Sequence, residues 1–187
     1  MTIFINTYTK YLRNRSFYHY IISSWIRAKP KSFIGVIKRY KDWVWLKGEP
    51  TFVQMEWRHP ETLIFYDVYM KVLAPYKDIP NKLRYYHVFI EIKTGKYNNN
   101  WVTQLKTQYV NRNSSKLGYR HDDYPQLLFI ARKTELTKLK QDLGSYPTSY
   151  LLFFELDYLE PVVLSDVKSL LEPLYPDNER GSRYRNS

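Results

Sequence analysis

The sequence contains no cysteine. That excludes disulfides, thiolate zinc sites and cysteine-ligated iron–sulfur clusters, and it suits a reducing compartment. Glycine is scarce, with 6 copies, and none builds a Gly-rich phosphate loop or a Gly-x-Ser-x-Gly elbow. No apolar run is long enough to span a bilayer, and the N-terminal residues lack the uninterrupted apolar stretch of a secretory signal. Stable membrane insertion is therefore not expected. Acid is missing from the start of the chain. Lys10, Arg13, Arg15, Arg27, Lys29, Lys31, Lys38, Arg39 and Lys41 all precede the first carboxylate, Asp42.

What is present is basic and aromatic. The 187 residues carry a net charge of +11, 19 tyrosines and five tryptophans. A chain of this length can bury a core without staples. Many of its apolar groups end in a polar tip that needs a partner when buried. A block of positive charge at one end is the footprint of a surface that meets a polyanion, nucleic acid or acidic membrane, although a merely soluble basic surface looks the same.

Apolar spacing predicts a helix over 7–27, broken at Lys29-Pro30, and a second over 32–40 capped by Ser32. Residues 1–41 thus read as a basic, aromatic helical arm. It can pack on the core, lay Arg13, Arg15, Lys38, Arg39 and Lys41 along phosphates, or lie on a membrane surface. It could also mediate a homodimer. A domain over 42–176 follows, and a basic tail over 177–187 that reads as disordered. Within the domain, short strands are expected at 43–46, 51–57, 62–72 and 85–93, joined by turns as in an antiparallel meander. A helix over 101–112 presents Trp101, Leu105 and Tyr109 as its buried stripe. Then come a strand at 126–131, a helix at 134–143 ended by Gly144, a strand at 150–155, a short strand at 162–164 and a helix from Ser165 or Asp166 to 171. The fold class is α/β, a mixed central sheet that starts as an antiparallel meander and is flanked by helices.

The 85–93 strand carries the chemistry. Val88, Ile90 and Ile92 alternate with His87, Phe89, Glu91 and Lys93, so one face enters a core and the other places Glu91 beside Lys93. A carboxylate and an ammonium at that spacing can hold a divalent metal and position a water. Asp67 lies inside the run Leu63-Ile-Phe-Tyr-Asp-Val-Tyr-Met70 of the strand expected at 62–72. An acid in mid-strand is disfavoured, and an unpaired buried carboxylate is costly. A metal shared with Glu91 would compensate it; so would an edge position facing water, or a pairing with Lys71 or Lys93. His87 reads as structural, His121-Asp122-Asp123 as a solvated loop, and His19 and His59 show no evident partner.

These segments resemble the PD-(D/E)XK nuclease superfamily, the restriction-endonuclease-like fold. Phe65-Tyr66-Asp67-Val68-Tyr69 looks like its acidic strand. Val88-Phe89-Ile90-Glu91-Ile92-Lys93-Thr94-Gly95 looks like its Glu-x-Lys strand. The run from Trp101 through Gln104 and Gln108 to Tyr109 is similar to the following helix in RecB-like exonucleases and Holliday-junction resolvases. The resemblance covers about residues 51–131. It departs at two points. No proline precedes Asp67, so Glu61 of Pro60-Glu61 is a second candidate for the first acid, and Gln108 stands where a tyrosine is usual.

The resemblance implies hydrolysis of phosphodiester bonds in DNA by a Mg²⁺ or Mn²⁺ ion, with no small-molecule cofactor. Asp67, Glu91 and the Ile92 carbonyl would be ligands, and Glu56 would bind a second metal. Lys93 would orient the attacking water or offset transition-state charge. Gln104 would contact the metal water or the scissile backbone, or simply pack its helix. The expected location is the cytoplasm, including that of a cell hosting a mobile element or virus. The alternative is a non-catalytic nucleic-acid-binding protein on the same fold, and a third reading is a membrane-surface scaffold.

Overall fold

A computed structural model of the chain describes residues 15–59, 63–76, 79, 81–110, 125–145 and 151–171. Two helices, α1 (Arg15–Ala28) and α2 (Pro30–Lys38), lead through a 3₁₀ turn (Val44–Lys47) into three strands, β1 (Glu49–Arg58), β2 (Phe65–Pro75) and β3 (Leu83–Lys93). Helix α3 (Asn100–Val110), strand β4 (Gln126–Ala131), helix α4 (Lys133–Leu143), strand β5 (Leu151–Glu155) and helix α5 (Leu156–Leu171) follow. The five strands form one sheet in sequence order. β1, β2 and β3 pair antiparallel, whereas β3, β4 and β5 run parallel. Antiparallel neighbours need only short turns, but parallel ones need a crossover, which α3 and α4 supply. The chain is thus an α/β protein with a mixed, helix-flanked sheet.

Two apolar layers sandwich the sheet. On one face Tyr18, Ile22, Trp25 and Ile26 of α1, Phe33 and Ile37 of α2, and Leu159 and Val163 of α5 pack against Val68, Met70, Val88, Ile90, Leu128 and Ile130. On the other, Trp101 and Leu105 of α3 and Leu136 and Leu139 of α4 meet Phe89, Leu127, Phe129 and Leu151. The described part of the basic arm is therefore built into the core. Trp25 Nε1 donates to Asp166 Oδ2 at 2.7 Å, and Lys29 pairs with the same oxygen at 2.9 Å, fastening α1 to α5.

Several expectations need correction. Residues 43–46 are not a strand; Val44–Lys47 is a 3₁₀ turn that buries Trp45 and Leu46. Helix α2 starts at Pro30, whose fixed φ suits the first helical turn, and Ser32 is not its cap. There is no strand at 162–164, because α5 runs unbroken across it. Pro161 lies inside that helix. Its missing N–H costs one helical bond, offset by the burial of Leu156, Leu159 and Val163 and by ion pairs from Arg132 to Asp157 and Glu160. From Tyr86 to Ile92 strand β3 has no solvent face: His87, Phe89 and Glu91 are as buried as Val88 and Ile90. Helices on both faces bury both sides of such a strand.

Candidate active site at the splayed end of β2 and β3

Strands β2 and β3 pair from Pro75/Leu83 up to Val68/Ile90. One step further, Asp67 stands level with Glu91. On the opposite side of β2, the pairs Met55/Val68 and Trp57/Tyr66 bracket Glu56 level with Asp67. Alternation should keep Met55 and Trp57 on one face, and likewise Val68 and Tyr66. Instead Met55 and Val68 pack in the first core, while Trp57 and Tyr66 pack in the second. Both strands turn over at Glu56 and Asp67, and Glu56 has a φ of 47°. That left-handed backbone is uncommon for a residue with a side chain and concentrates at functional sites. Beyond the turnover β2 no longer supplies main-chain acceptors to β3. The Ile92 N–H donates to Asp67 Oδ2 at 2.6 Å instead.

Glu91 lies in the second layer, 2 % exposed. Three donors converge on its carboxylate. Lys93 Nζ and Gln104 Nε2 donate to Oε1 at 2.5 and 2.6 Å, and Gln108 Nε2 donates to Oε2 at 2.7 Å. Gln104 and Gln108 are four apart on α3 and so share a helical face. Gln108 also donates to the Phe65 carbonyl at 3.2 Å, and the Tyr66 hydroxyl donates to the Gln108 carbonyl at 2.9 Å. A network rooted in β2 thus orients α3 over Glu91. Burial, and then the neighbouring Asp67 charge, push the Glu91 pKa up, while Lys93 opposes both.

Asp67 is held from the other layer. His19 Nε2 of α1 lies 3.0 Å from Asp67 Oδ2. This hydrogen bond raises the His19 pKa against the opposing effect of burial, and the Glu91 charge adds to the rise. A cavity of about 500 Å³ opens here, lined by His19, Glu56, Asp67, Ile92, Lys93 and Trp101 among others. Asp67, Lys93 and Glu56 therefore face one space, with Glu91 just behind it. Among the described residues, no three His, Cys, Asp or Glu side chains group as a ready-made metal cage.

No family model matches the chain, and neither curated proteins nor solved structures give a significant match. The site therefore rests on its own geometry.

That geometry assembles Asp67, Glu91, Ile92, Lys93 and Gln104, and adds Glu56 at the rim. It also adds two residues that sequence reasoning did not place. Gln108 had a visible signal, its four-residue spacing from Gln104. His19 had none, since 48 residues and a layer of core separate it from Asp67 in the chain. His87 is structural: its Nδ1 meets the Tyr69 hydroxyl at 2.7 Å. His59 is also buried, with its ring edge-on to Trp57 at 5.6 Å. Lys38, Arg39 and Lys41 are exposed. Arg13, Glu61, Tyr109 as a side chain, the 121–123 triplet and the tail lie outside the described residues, as does the Arg15 side chain.

Proposed function

We propose that the protein is a metal-dependent nuclease that hydrolyses phosphodiester bonds of DNA, on a restriction-endonuclease-like fold. The observation that carries this reading is the level placement of Asp67 and Glu91 at the parting ends of β2 and β3, with Lys93 bonded to Glu91. The succession of an acidic strand, a Glu-x-Lys strand and a glutamine-bearing helix supports the fold assignment.

The donors fit a hard divalent cation. Mg²⁺ keeps several waters and takes one or two carboxylates plus substrate phosphate, so it needs no closed protein cage. Asp67 and Glu91 would hold it. The Ile92 carbonyl would join them, since a strand residue's N–H and C=O leave on the same edge and its N–H already faces Asp67. When bound, such an ion supplies Lewis acidity toward a phosphoryl oxygen and a more acidic bound water. The chain's own groups do the rest. Gln104 and Gln108 fix the Glu91 carboxylate. The Lys93 ammonium stands where charge grows on the scissile phosphate, and preorganised charge of that kind lowers the barrier. Glu56 at the cavity rim is placed to engage a second ion or its waters.

The test is incubation of the full chain with duplex, single-stranded and branched DNA in Mg²⁺ or Mn²⁺. Cleavage is expected, with EDTA, Lys93→Ala or Glu91→Ala abolishing it while binding survives. Intact DNA under every condition overturns the proposal. One observation favours a non-catalytic binder: His19 and Lys93 already give each carboxylate a protein partner. On that reading Asp67→Asn leaves every nucleic-acid phenotype unchanged.

A further inference from the structure

Helices α3 and α4 cover the second face of the sheet over β3, β4 and β5. Toward β1 and β2 no helix among the described residues covers this face, and around the buried Tyr69 and His87 its outer positions reach the surface. Phe52 is 47 % exposed and Tyr85 40 %. Phe52 pairs with Lys71, and Lys71 with His87, so the three form one rung across β1, β2 and β3. Lys71 Nζ sits 4.1 Å above the Tyr85 ring, and the Phe52 ring lies 5.8 Å from that of Tyr69. Positions 52, 54, 69, 71, 73, 83, 85 and 87 share this face and include no acid, while Glu49, opposite Leu73 at the start of β1, pairs with Lys31.

We propose that Phe52 and Lys71, with Tyr85 on the adjoining rung, form a stacking platform for a single-stranded nucleic acid, the segment of substrate that leads into the acidic cavity. Exposed rings accept the faces of unpaired bases, which a duplex keeps stacked inside itself. The ammonium between the rings neutralises the backbone those bases hang from. Charge selects the occupant: the chain is strongly cationic, Lys71 stands beside the rings, and Glu49, in register with Leu73, is paired with Lys31. The spacing fits as well. Lys71 and Asp67 are four residues apart on β2, about 13 Å at the strand rise, which a few nucleotides bridge.

The proposal deepens the nuclease reading by naming an unpaired strand as substrate, and it rests on that reading for where the strand leads. Binding is measured without catalysis, by fluorescence anisotropy of labelled oligo(dT), oligo(rU) and a blunt duplex in EDTA, using the full chain. Single strands should bind more tightly than the duplex. Phe52→Ala and Tyr85→Ala should each weaken single-strand binding about tenfold, with Phe52→Tyr and Tyr85→Phe close to wild type. Lys71→Ala should reduce the salt dependence by about one phosphate contact. Circular dichroism checks that each variant is folded. Equal affinity for duplex, alanine variants that bind like wild type, or binding to anionic vesicles but not to oligonucleotides each overturn the platform. Metal-dependent cleavage with binding indifferent to Phe52 and Tyr85 removes the platform alone. Platform-dependent binding without cleavage removes the nuclease reading alone.

Discussion

Replacing Lys93 with methionine keeps the length of the side chain and deletes its charge. Glu91 is 3 % exposed as a side chain, and Lys93, at 20 %, is the cation bonded to it. Removing one partner of a buried ion pair costs about 3–5 kcal/mol. Lys93 keeps some contact with water, which screens part of the interaction, so a loss of about 2–3 kcal/mol is expected. For a chain of this size that lowers Tm by roughly 5–10 °C. The loss should depend on pH. Burial and Asp67 already raise the Glu91 pKa, and Lys93 is the main opposing influence. A carboxyl with a raised folded pKa contributes most to stability below its unfolded value and loses that contribution as pH rises through the folded one. Lys93→Met should therefore be most destabilised at neutral pH and approach wild type as acid protonates Glu91. Thermal unfolding followed by circular dichroism across this range reads both effects. A variant as stable as wild type at neutral pH would refute the claim that Glu91 is held as a charged group by Lys93.

Saturating Mn²⁺, at about a hundred times its Kd, should raise the wild-type Tm by roughly 5–10 °C, and Asp67→Asn should abolish the rise, as differential scanning fluorimetry would show. His87 is neutral in the folded protein, its pKa pulled down to about 4 by burial and then by Lys71. Because the unfolded chain takes up that proton near pH 6.5, stability present above pH 6.5 is lost as pH falls toward 4, by up to roughly 3 kcal/mol. His87→Phe should flatten that part of the Tm–pH curve. Gly144 closes α4 with a φ of 55° and a ψ of −127°, a backbone region that resists a Cβ, so Gly144→Ala should cost about 1–3 kcal/mol in urea unfolding.

Where local pattern decides structure, the sequence was legible. β4 is an uninterrupted apolar run and matches its expected limits, and Gly144 ends α4 as its left-handed freedom suggests. The mid-strand position of Asp67 signalled the need for a partner, but the partners are the Ile92 N–H and His19, not the Lys71 or Lys93 that the sequence offered. Other features depend on tertiary context. Period-2 alternation in β3 suggested one wet face, yet α3 covers it, and the glutamines that face Glu91 come from a different element. The short strand expected at 162–164 is helix instead, because a local rule cannot register the core contacts that carry α5 past Pro161. The turnover at Glu56 and Asp67 leaves no mark on composition or spacing, and it is what brings α1 from one layer and α3 from the other to the same mouth.

Mn²⁺ binding followed by electron paramagnetic resonance tests the central claim most directly, because it detects the ion whether or not any substrate is cut. Wild-type protein should hold Mn²⁺ in competition with Mg²⁺, and Asp67→Asn and Glu91→Gln should each release it while remaining folded. Wild-type protein that leaves the free-ion signal undiminished, or variants that bind the ion as well as wild type, would contradict the account.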